Sequence, residues 1–180
     1  MNERPKARIA TVWLDGCSGC HMSFLDLDEK LLDVLAQADL VYSPLVDYKE
    51  FPENVDVTLV EGAVSSLEDL EKIKLIRART KILVSLGDCA VMANVPSMRN
   101  PFGARAVLER AYLENVTLHP QIPQQVIPPL LKRVRPVHQV VKVDVFVPGC
   151  PPSAATIGYV VNELLAGRTP DMTDKTRFGA

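Results

Sequence analysis

Runs of nearly continuous apolar residues the length of a strand constrain this chain most: VTLV at 57–60, KILVSL at 81–86 and VFV at 145–147. A strand with one wet face alternates apolar and polar residues. A strand without that alternation is covered on both faces, as in a parallel sheet lying between helices. The intervening segments supply the helices. RIATVWL, 8–14, reads as a first buried strand, followed by MSFLDLDEKLLDVLAQA with Phe24, Leu27, Leu31, Leu32 and Leu35 at helical spacing. DLVYSPLV, 39–46, is a strand ended near Pro44, and VDVTLVEG, 55–62, is another. The helix in SSLEDLEKIKLIRART takes Ser65 or Ser66 as its N-cap. KILVSLGDC, 81–89, precedes a short helix in DCAVMANV, and GARAVLERAY predicts a further helix. VVKVDVFVPGC, 140–150, is a last strand, and SAATIGYVVNELLAG is a helix stopped by Gly167.

The order predicts an α/β fold: a three-layer, flavodoxin-like, mostly parallel sheet with helices on both faces. At 180 residues the chain reads as one domain, 1–180, with a proline-rich insert at about 94–139 and a polar tail at 167–180. Pro120, Pro123, Pro128, Pro129 and Pro136 forbid a long regular element in the insert, which is expected to be a docking surface for a partner. A net charge of -2 without a basic block argues against nucleic acid as partner. Neither a leader nor a membrane-spanning run is expected, so the cytoplasm is the expected location.

Cys17 and Cys20 follow the first predicted strand, Cys89 the fourth and Cys150 the fifth, so all four cysteines are expected past strand carboxyl ends. In an open parallel sheet those ends share the edge where sites form. Four thiolates at one edge make a metal site, and both zinc and a [4Fe–4S] cluster accept four thiolates. One Cys-x-x-Cys pair with two separate cysteines favours the cluster, since structural zinc usually takes two such pairs. Gly16, Gly19, Gly87 and Gly149 would let backbone approach the sulfurs. A redox dithiol at Cys17 and Cys20 is the thioredoxin-like alternative, but it leaves Cys89 and Cys150 unused. Four unrelated cysteines are the bland one.

GCSGCHMSFLD at 16–26, VEGAV at 60–64, SLGDCA at 85–90 and PGCPPS at 148–153 together resemble the small, electron-transferring subunit of [NiFe] hydrogenases. That family is related to the 20 kDa-type subunit of NADH:quinone oxidoreductase, whose first motif typically has adjacent cysteines; here Ser18 and Gly19 separate them. The resemblance runs from about 8 to 166 and is most like the cytoplasmic NAD-reducing type. It implies one proximal [4Fe–4S] cluster on Cys17, Cys20, Cys89 and Cys150. It implies as partners a large subunit with the Ni–Fe centre and diaphorase subunits with flavin (FMN), iron–sulfur clusters and the NAD site. The overall reaction would be H2 + NAD+ = NADH + H+, with no catalytic residue in this chain. A quinone-oxidoreductase subunit and a zinc-stabilised scaffold are the alternative functions.

Other residues of the same edge are candidates for supporting or interface roles: Trp13, Asp15, Gly16, Gly19, His21, Glu61, Asp88 and Gly149. Glu61 ends a strand and is read as a network or proton-route carboxylate, or as a turn residue. His21 is read as facing the large subunit or donating to a sulfur, Asp88 as an N-cap and Trp13 as core. His119 and His138 are read as surface residues. FMN in this chain is not expected, because the first loop is occupied by its thiols, and without a GxGxxG motif the NAD site lies elsewhere.

Overall fold

The fold was analysed in a computed structural model, which describes residues 6–176. The ends of the expected single domain, 1–5 and 177–180, and with them the last residues of the expected tail, lie outside the described residues. Five strands form one sheet: β1 (Ala7–Trp13), β2 (Ala38–Tyr42), β3 (Val55–Glu61), β5 (Thr80–Leu86) and β7 (Val145–Val147). Their spatial order is β2-β1-β3-β5-β7 and every pairing is parallel. This is the doubly wound, flavodoxin-like arrangement, with the direction of winding reversing between β1 and β3.

Both faces of the sheet are buried, as the apolar runs demand. On one face Val57, Leu59, Val84 and Leu86 pack with Phe24, Leu27, Ile157 and Val161 of the helices α1 (Gly19–Leu25) and α6 (Ala154–Leu165) and the turn after α1. On the other, Ala10, Val12, Val60 and Leu83 pack with Ile73 and Ile76 of α3 (Leu67–Arg79). Ser66 caps α3 in a reciprocal capping box with Asp69.

Three expectations change. The helix after β1 is broken: α1 ends at Leu25 and α2 (Lys30–Gln37) begins after a turn in which Asp28 takes a positive φ of 50°. The turn drops Leu27 into the core against Gly158 of α6, while Leu32 and Leu35 of the expected apolar stripe remain exposed. The last strand is only Val145–Val147, because the N–H groups of Val140 and Val141 bond back to Val137 O of a 3-10 turn at Val137–Gln139. Asp144 then anchors its start, its carboxylate and its N–H both bonding to the backbone of Leu83. The proline-rich insert is also more regular than expected. Its β6 (Leu130–Arg135) pairs antiparallel with the short β4 (Val64–Ser66). The expected helix there is α5 (Ala104–Glu109), continued by a π-helical turn. Among the described residues no helix is long and apolar enough to cross a membrane.

Candidate functional site at the carboxyl edge of the sheet

Trp13, Glu61, Leu86 and Val147 end four neighbouring strands in register. The loops that leave this line carry all four cysteines. Cys89 lies in α4 (Gly87–Met92), and Cys150 follows β7. Cys17 and Cys150 are exposed, while Cys20 and Cys89 are buried.

Backbone and side-chain bonds tie the loops together. Asp15 and Ala63 exchange N–H···O=C bonds of 3.1 and 2.7 Å, pinning the Cys17 loop to the end of β3. The His21 N–H donates to Glu61 Oε2 at 3.0 Å, and the imidazole Nδ1 meets the same oxygen. Ser23 donates its hydroxyl to Pro152 O at 2.6 Å, joining α1 to the loop of Cys150. Asp88 accepts from the Gly149 N–H at 2.7 Å and its own N–H donates to Gly149 O at 2.9 Å, joining the loops of Cys89 and Cys150. The Asn94 amide reaches Cys150 Sγ at 3.5 Å. Gly16 and Gly19 serve close approach: a Cβ would stand 3.3 Å from Gly62 Cα at the first and 3.3 Å from Cys17 Sγ at the second.

Several candidate residues are placed differently from expectation. His21 is buried against Glu61, which is itself 2% exposed, rather than facing outward. Trp13 is 39% exposed rather than core, and it stacks on the His21 ring with centroids 5.9 Å apart. Asp88 is not the N-cap of α4, a position held by Leu86, but the bridge to Gly149. His119 and His138 are exposed, and His138 packs edge-on to Phe146. Ser23 and Asn94 were not singled out in the sequence. Ser23 lies one helical turn from Cys20, the only signal it gives, and Asn94 gives none.

The expected [4Fe–4S] cluster does not stand. Among the described residues no group of three or more His, Cys, Asp or Glu side chains could hold a metal ion. The same finding bears on zinc. Position past a strand end decides which edge a cysteine occupies, not how deeply its thiol is buried. Cys20 packs into the apolar core beneath the edge while Cys17 and Cys150 lie at the surface.

Burial raises the Cys20 thiol above the ordinary thiol range, reinforced by Glu61 and by the other three thiols. Burial, then Cys150 and Cys17, push Cys89 up to about 11. A folded state that holds a proton more tightly than the unfolded chain loses stability as that proton leaves. This contribution is therefore fully present below the ordinary thiol value of 9.0 and is lost as pH rises through about 11. In the metal-free chain at pH 8, iodoacetamide should accordingly modify Cys17 and Cys150 first, with Cys20 and Cys89 reacting only after unfolding. Peptide mapping of the alkylated protein checks this order, and equal rates at all four would contradict it. For the loop bridge, Asp88→Ala should lower the opening free energy of the Gly149 amide by about 1.5–3 kcal/mol, read by hydrogen exchange.

Comparison with known proteins adds four findings. Residues 17–164 match the family model described as NADH ubiquinone oxidoreductase, 20 Kd subunit. The chain is 42% identical over 181 residues to the delta subunit of the NAD-reducing hydrogenase HoxS of Cupriavidus necator, covering 95% of this chain and 84% of that one. It is 41% identical to a subunit of the F420-non-reducing hydrogenase of Methanothermobacter marburgensis over 90% of its own length, but it spans only 54% of that protein. Among solved structures, a chain of an NAD+-reducing [NiFe]-hydrogenase in the H2-reduced state superposes with a TM-score of 0.92 at 38% identity, covering 97% of this chain and 99% of that chain.

Proposed function

Because the chain belongs to the family of the 20 kDa subunit of NADH:ubiquinone oxidoreductase, we propose that it is the small, electron-transferring subunit of a hydrogenase that reduces NAD+. The observation that carries this reading is the likeness to the NAD+-reducing [NiFe]-hydrogenase chain over 99% of that chain's length. The carboxyl edge of the sheet supports it, since three separate loops carrying every cysteine are fastened to one another there. One partner is a large subunit that cleaves H2, and the other is a diaphorase module that reacts with NAD+. The four-thiol edge is the face at which this chain takes part in the transfer between them. Its place is the cytoplasm, where NAD+ is reduced.

A single experiment tests the assignment: isolation of the chain, tagged, from its native host under anaerobic conditions. The isolated assembly should contain a hydrogenase large subunit and should reduce NAD+ with H2. Recovery of a quinone-reducing assembly without H2 uptake would refute the hydrogenase reading in favour of the quinone-oxidoreductase branch.

A further inference from the structure

Beside the thiol edge, between the end of α4 and β6, lies a cavity of about 520 Å3. That volume is within the range of small-molecule sites. It is lined by Ser97, Asn100, Arg133, Arg135, Pro136 and Gln139 among others, and no carboxylate lines it. Arg133 and Arg135 stand two positions apart on β6, so they share one face of the strand, while Val134 between them is buried on the other. Neither guanidinium makes an ion pair or a side-chain hydrogen bond among the described residues. The other arginines of the insert contrast with them: Arg99 bonds Leu131 O and Ser65 O, Arg105 pairs with Glu109 and Arg110 with Glu114. The cavity wall is held in place, because the Asn100 side chain bonds both the N–H and the C=O of Val134 at 2.8 and 3.0 Å. Two adjacent arginines without counter-charges, on a strand held by Asn100, have the geometry that binds phosphate oxygens in forked hydrogen bonds. Met92 and Pro136 add apolar surface at the rim and wall for the organic part of such a ligand.

We propose that this cavity is a binding site for a phosphorylated small molecule of about mononucleotide size, with Arg133 and Arg135 holding the phosphate. The site is separate from the thiol edge and does not depend on the hydrogenase assignment.

Isothermal titration of the full chain with pyrophosphate, ADP, adenosine and glutarate tests it. Pyrophosphate and ADP should bind, more weakly as salt is raised, and adenosine should not. Arg133→Ala and Arg135→Ala should each weaken ADP binding about tenfold or more. Arg135→Lys, which keeps the charge but loses the fork, should lie between wild type and alanine. Circular dichroism of the same samples establishes that the variants are folded. Three results would overturn the proposal: no binding of pyrophosphate or ADP at about 1 mM, glutarate binding as tightly as pyrophosphate, or unaltered affinity in the folded alanine variants.

Discussion

Glu61→Ala should destabilise the chain by about 2–5 kcal/mol, the result of leaving two buried donors unsatisfied. The carboxylate is 2% exposed and serves two donors of one residue, the backbone N–H and the ring Nδ1 of His21. Removing it strands both in a buried region, where an unpaired group retains its full desolvation cost. His21 has nothing to turn to: its Nε2 is already buried without a partner among the described residues, and Trp13 closes one face of the ring. The loss falls where Cys20 adjoins His21, so α1 should detach from β3 before the sheet unfolds. In a chain of this length the change corresponds to a fall in Tm of roughly 10 °C. Glu61→Gln keeps an acceptor of the same shape and should cost less, about 1–3 kcal/mol. Urea unfolding measures both, and a Glu61→Ala loss below about 0.5 kcal/mol would show that the pair does not hold the loop.

Gly87→Ala should be nearly as costly, for two separable reasons. The residue sits at φ +81°, and a Cβ there would overlap Cys20 Sγ. The left-handed backbone costs an L-residue about 1–2 kcal/mol, and the overlap adds about 1–3 kcal/mol as the thiol is driven from its place. Gly167→Ala is the control, with φ +73° and nothing within 4 Å of its would-be Cβ. It should show the backbone cost alone, so the difference between the two variants isolates the steric term. The displaced Cys20 should also alkylate faster in Gly87→Ala. Equal stability losses and unaltered Cys20 reactivity would mean that Gly87 is not kept small for the sulfur.

The sheet was legible in the sequence because its signal is local. Runs such as VTLV and KILVSL have no explanation in a wet strand, and the helix between them has its cap and period within the same segment. The placement of the cysteines past strand ends followed from that reading alone. What was not legible depends on partners distant in sequence. The break at Asp28 exists so that Leu27 can meet Gly158, and β4 is three residues that form a strand only against β6. The same holds for the site. Nothing near His21 announces that it turns inward to Glu61, forty positions away, and nothing near Trp13 announces that it stays at the surface on His21. The cluster expectation failed at this level too, since the depth of a thiol is set by packing such as that of Cys20 in the core, not by spacing.

The most direct test of the central claim is the H2-dependent reduction of NAD+ by the assembly with and without this chain. Removing the chain should bring reduction of NAD+ by H2 below detection, and adding it back should restore it. Undiminished H2-dependent NAD+ reduction in its absence would contradict an electron-transferring role for this chain.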